Sequence, residues 1–151
     1  MTRCSALLPR LHGIARDRTG GALVEFALLA PVFIGMVIGV LQIGTYMQNY
    51  TAVRSLASDA ARFTAVEFQK SNALTTSELQ ADIVAMGATS PYNLDGNRLN
   101  VHIDEITPSD VNGSRKFDMD ITYQVPSFMS GVGFSDIALD YSRPLYVIDN
   151  S

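Results

Sequence analysis

The chain has 151 residues, a net charge of −4 and a single cysteine. That length leaves room for one modest domain beside a membrane helix and excludes a multi-domain enzyme. Cys4 alone permits neither an intramolecular disulfide nor a cysteine-built metal centre, and with no apolar run ahead of it Cys4 does not read as a lipoprotein anchor.

The charge is unevenly divided. Arg3, Arg10, Arg16 and Arg18 against Asp17 give residues 1–20 a charge of +3, whereas residues 21–151 carry −7. The basic segment ends in Gly20-Gly21-Ala22-Leu23-Val24-Glu25-Phe26, a glycine followed five residues later by a lone glutamate at the mouth of an apolar run. No charged residue follows until Arg54, so Phe26 to Val53 is uncharged over 28 residues. At about 1.5 Å per residue, Phe26 to Met47 alone spans a hydrocarbon core of about 30 Å. A secretory signal has a shorter apolar region, of about 7–15 residues, with a small-x-small cleavage site after it. Gln48-Asn49-Tyr50-Thr51-Ala52 is a poor site of that kind. The expectation is an uncleaved single-pass anchor over residues 21–47. By the positive-inside rule its basic end is cytoplasmic and the acidic remainder lies across the membrane.

A carboxylate at the lip of the bilayer is costly, and its usual explanation is a specific partner. Within the span, Pro31 removes the amide bond to the Ala27 carbonyl and is expected to kink the helix. Gly35, Gly39 and Gly44 follow, and Gly35 with Gly39 forms a Gly-x-x-x-Gly pattern that permits close helix approach. Apolar helices also match that pattern by chance, so a packing face and a glycine-tolerant helix both remain open.

Past the span, Val53, Leu56, Ala57, Ala60 and Phe63 recur at helical spacing while Arg54, Ser58, Asp59 and Arg62 fall largely elsewhere. This predicts that one long helix continues over 48–70 as an amphipathic extension. The pattern breaks around Lys70 to Thr75. Thr75-Thr76-Ser77-Glu78 then reads as a capping box for a second helix carrying Leu79, Ile83 and Met86 on one face, with Gly87 as its stop. Ser90, Pro91, Asn93, Asp95 and Gly96 spell a loop. The rest alternates as strands do: Leu99, Val101 and Ile103; Phe117, Met119, Ile121, Tyr123 and Val125; and Ile137, Leu139 and Tyr141 until Pro144 interrupts. Residues Asp110–Ser114 link the first two strands as a hairpin-like loop, and a proline within the third belongs on an edge or at a bulge. The fold class is therefore α+β: a long N-terminal helix, then a small α+β domain over 71–151 that holds a second short helix and a three-stranded antiparallel meander, with the acidic sheet face toward water.

Taken in this order, these elements resemble the TadE-like family, the minor pilins or pseudopilins of tight-adherence (Flp-type, type IVc) pili. The family's N-terminal motif is a glycine, four residues, then glutamate and an aromatic. Gly20, Gly21-Ala22-Leu23-Val24, Glu25 and Phe26 fill it without a gap, and Glu25-Phe26-Ala27-Leu28-Leu29-Ala30-Pro31 is similar to the run typical of these proteins. The resemblance covers nearly the whole chain. It implies that residues 1–20 are a leader removed by a prepilin peptidase on the cytoplasmic face of the bacterial inner membrane. Cutting after Gly21 is the alternative register, but it would put Glu25 fourth in the mature chain. Other implied partners are pilin or pseudopilin subunits, the inner-membrane assembly platform and membrane lipid, with roles in adhesion and biofilm formation.

Cleavage after Gly20 would leave a new amino group on Gly21, and Glu25 of a neighbouring subunit is a suitable counter-charge, strengthened by low dielectric and opposed by desolvation. Alternatively Glu25 snorkels to the interface or serves its own helix N-terminus. Other chemistry is weak. His12 and His102 do not make a histidine metal site. Asp118 with Asp120, and Asp104 with Glu105, read as a solvated acidic face without a calcium-loop pattern. Ser130-Gly131 lacks a nucleophile-elbow context, and Arg115-Lys116 is too small a patch for nucleic acid. No cofactor and no catalytic constellation is expected. The competing reading is a membrane-tethered periplasmic sensor or ligand-binding module with the helix as passive anchor, which gives Gly20 and Glu25 no role.

Overall fold

A computed structural model describes residues 20–70 and 74–148. The expectations for Cys4, His12 and the basic leader lie outside the described residues. The chain divides into two units, the first ending at Val40 and the second Leu41–Ser151.

Helix α1, Gly21–Gln69, runs for 49 residues and continues through Pro31. In the first unit its apolar side chains are bare: Leu23, Phe26, Leu28 and Phe33 are exposed, as suits a segment that expects lipid around it.

In the second unit α1 changes character because the sequence gains a periodic apolar face. Val53, Leu56, Ala57 and Ala60 are buried as their spacing predicts. Phe63 is only half-buried, and its neighbour Thr64 is wholly buried instead. The threonine hydroxyl is accommodated because it donates to the Ala60 carbonyl at 2.8 Å, which satisfies it without an outside partner.

Helix α2, Thr76–Ala88, begins at the expected capping box. The Glu78 amide donates to Thr75 Oγ1 at 3.3 Å and the Thr75 amide donates to Glu78 Oε2 at 2.9 Å. The Thr75 amide and then the Thr75 hydroxyl, which donates to the same oxygen at 2.8 Å, hold the Glu78 carboxyl below the usual carboxylate range. Leu79 and Ile83 are buried and Met86 is half-buried. The helix stops one residue past Gly87, and the glycine has a packing role besides. It lies within the helix, and a Cβ there would meet Leu99 Cδ2 at 2.6 Å and Leu56 Cδ2 at 2.9 Å. The glycine lets α1, α2 and the sheet close on one another.

The strands are β1 (Leu99–Ile106), β2 (Ser114–Val125) and β3 (Ile137–Ile148), antiparallel in the order β1-β2-β3. Gly113 takes a φ of 77° just before β2, a left-handed conformation that suits glycine in the hairpin connection. One face of the meander buries Val101, Ile103, Phe117, Met119, Ile121, Val125, Leu139, Leu145 and Val147 against the helices. Each such side chain contributes about 1.5–3 kcal/mol of burial. Pro144 does not interrupt β3. The strand runs to Ile148 with Pro144 opposite Asp118, and β3 is an edge strand, where a missing amide is tolerated.

Two arginines occupy positions on the inner face. Arg143 donates to Ser58 Oγ on α1 at 3.0 Å. Arg115 grips Glu105 through Nε and a terminal nitrogen, both at 2.8 Å, while its guanidinium lies 5.5 Å from the Phe68 ring centre and 5.2 Å from that of Phe117. The Arg115 contacts close one end of the sheet over the last turn of α1.

Candidate functional site

The expected processing motif occupies the start of α1. Gly20 is in a short turn before the helix and Gly21 is its first residue. Nothing lies within 4 Å of a Cβ placed on either glycine, and neither backbone is in the left-handed region. The fold itself does not require glycine at these positions.

Glu25 and Phe26 stand fully on the surface of the helix. The first turn of α1 contains no acidic residue, so Glu25 lies beyond the turn in which a carboxylate is strongly favoured by the helix dipole. Among the described residues it makes no hydrogen bond or ion pair. The helix dipole therefore acts on Glu25 less strongly than on a carboxylate in the first turn. Farther along, a Cβ on Gly35, Gly39 or Gly44 would likewise meet nothing within 4 Å. Gly35 and Gly39, four residues apart, fall on one side of the helix with room for close approach.

The outer sheet face carries Asp104, Asp118, Asp120 and Asp140, but Glu105, expected there beside Asp104, alternates to the other face and pairs with Arg115. Asp104 is directly opposite Asp118, and His102 is opposite Asp120. His102 Nε2 lies 3.0 Å from Asp104 Oδ2, and Thr122 donates to Asp140 at 2.8 Å. Among the described residues no group of three or more histidine, cysteine, aspartate or glutamate side chains is arranged to hold a metal ion. Ser130 and Gly131 lie in a 3-10 turn, Ser130–Val132, between β2 and β3. Arg115 and Lys116 do not form a shared patch. Arg115 faces inward to Glu105, whereas Lys116 pairs with Asp110 at 2.6 Å and lies 5.9 Å from the Tyr146 ring centre.

Sequence reasoning passed over a polar cluster around the β2–β3 connection. Gln42, inside the apolar run, donates from Nε2 to the Pro126 carbonyl at 3.2 Å and accepts from the Phe128 amide at 2.9 Å. Asp136 accepts from the Ser127 amide at 2.9 Å and from Arg98 at 2.6 Å. Both contacts hold its carboxyl below the ordinary carboxylate range, the Ser127 amide contributing most. The available signal was Gln42 itself, a polar amide in an otherwise membrane-compatible segment.

These features define an α+β protein whose N-terminal apolar helix, the one such helix among the described residues, fits a single-pass membrane anchor. A family model described as TadE-like protein matches residues 20–62, which hold the glycine–glutamate motif, the apolar span and the first part of the core-forming helix. Over those residues the chain is similar to TadE-like proteins. No curated protein and no solved structure matches the chain.

Proposed function

We propose that the chain is a minor pilin or pseudopilin, cut by a prepilin peptidase after Gly20 and engaged in assembling a tight-adherence pilus or a related secretion apparatus. In this role it serves surface adhesion and biofilm formation. The supporting observation is the pairing of a glycine that the fold does not need with an exposed glutamate, five residues on, that has no partner among the described residues. A small residue before the scissile bond suits a protease, and an unpaired carboxylate at the helix mouth suits the amino group that cleavage creates on a neighbouring subunit.

In this reading the N-terminus is cytoplasmic, residues beyond about Arg54 are periplasmic, and Gly35 with Gly39 offers a close-packing face to another subunit or to the assembly platform. Coexpression with a cognate prepilin peptidase tests the proposal. N-terminal sequencing should give a mature chain beginning at Gly21, and Gly20→Ala should block or strongly slow its appearance. A chain that still begins at Met1, where a known pilin is cut alongside it, overturns the reading.

A further inference from the structure

Residues Ile121–Ser135 carry no charged side chain, and most of the connection between β2 and β3 falls within them. Its backbone is held by the Gln42 amide on one side and by Asp136, itself tied to Arg98, on the other. What this fixed connection presents outward is apolar. Phe128 is 58% exposed and Phe134 59%, with Ile137 at 42% where β3 begins. A water-facing turn is normally built from small polar residues, and a restrained loop that holds two phenylalanines away from its own core calls for another apolar phase.

The position of Gln42 identifies that phase. It lies within the Phe26–Met47 run, in which Leu41, Ile43 and Met47 are exposed. An amide at the depth of a membrane span must be satisfied by protein, and the loop backbone satisfies both its donor and its acceptor. The loop is therefore fastened to the helix at a level the sequence assigns to lipid, in a stretch of α1 where Leu41, Ile43 and Met47 are exposed too.

We propose that the β2–β3 connection is a second membrane contact, in which Phe128 and Phe134 enter the boundary between headgroups and acyl chains and Gln42 sets the loop's depth. The occupant is the lipid bilayer. Because the connection is uncharged from Ile121 to Ser135, its insertion depends on apolar partition and not on anionic headgroups.

The inference rests on the membrane reading of the helix, and the test separates the two. Full-length protein carrying Cys4→Ser is reconstituted into vesicles of phosphatidylethanolamine and phosphatidylglycerol. Single cysteines are introduced by Phe128→Cys, Phe134→Cys, Val111→Cys in the β1–β2 connection and Ile34→Cys in the span, and each is labelled with a polarity-sensitive fluorophore. Labels at 128 and 134 should shift to the blue and be quenched by shallow nitroxide lipids, equally so in vesicles without phosphatidylglycerol, while the label at 111 stays unquenched. In the Gln42→Leu background, quenching at 128 should fall and that at 34 should persist.

Quenching at 34 with labels at 128 and 134 behaving like that at 111 overturns the loop contact and leaves the membrane helix standing. Absence of quenching at 34 instead overturns the membrane reading itself. Protection at 128 and 134 that appears only at high protein density, without nitroxide quenching, assigns the patch to a second copy of the chain and overturns the lipid assignment.

Discussion

The Tyr92 hydroxyl donates a hydrogen bond to the Asp59 carboxylate, fastening the loop after α2 to the amphipathic stretch of α1 across 33 residues of sequence. Burial and then the adjacent carboxylate push the Tyr92 phenol from 10.0 to about 12. The folded protein thus retains this proton at a pH where the unfolded chain has released it. The stability so contributed is full below pH 10 and is lost as pH rises toward 12. In an absorbance titration, one phenolate should appear later than the others. Tyr92→Phe should remove that late step and flatten the fall in melting temperature across the same interval.

The opposite sign applies at Asp136, whose folded pKa is depressed by the Ser127 amide and by Arg98. Its contribution is complete above the unfolded value of 3.8 and is lost as pH falls through the lower folded value. The protection factor of the Ser127 amide, its exchange rate taken relative to the intrinsic rate at the same pH, should therefore fall in acid. Asp136→Asn should give fast exchange at neutral pH and remove most of this dependence.

At Gly87, overpacking is the expected fault. Gly87→Ala would push a methyl against two leucine termini, Leu99 at 2.6 Å and Leu56 at 2.9 Å. A cost of about 1–3 kcal/mol should appear in denaturant unfolding. Gly96→Ala is the control, because its new methyl would meet only ordinary contacts at 3.8 and 4.0 Å. That variant should lose little or nothing.

Processing and assembly should separate at Glu25. Glu25→Gln keeps size and polarity but removes the charge, so crosslinking to partner subunits should fall more than cleavage does. Asp118→Asn combined with Asp120→Asn removes two charges from the outer sheet face and should leave assembly largely intact. If the double variant abolishes pilus formation while Glu25→Gln matches the parent, the ligand-binding reading displaces the assembly one.

What could be read from sequence was local. Thr75 and Glu78 signal a capping box within a single turn, and the alternation along Phe117–Val125 reports a half-buried strand without reference to anything distant. The relations that escaped are between remote residues. Gly87 looked like a helix stop because glycine often is one, and only the approach of Leu56 and Leu99 gives it a packing role. Arg143 and Arg115 sit on the inner face because Ser58 and Glu105 receive them there, and no periodicity marks either partner. The Gln42 contact joins residues 86 positions apart, beyond any window in which hydrophobic spacing is informative. At the N-terminal motif, chain order alone supplied the spacing of Gly20 and Glu25, but the indifference of the fold to glycine there became visible only with the neighbouring atoms in place.

The edge position of β3 also bears on how copies of this chain meet. Open strands invite a neighbour to extend the sheet, a route to indiscriminate aggregation when molecules are concentrated in one plane. Pro144 leaves a gap in the row of donors midway along that rim, with Asp140 and Ser142 exposed beside it. Strand-by-strand growth along β3 is thereby discouraged.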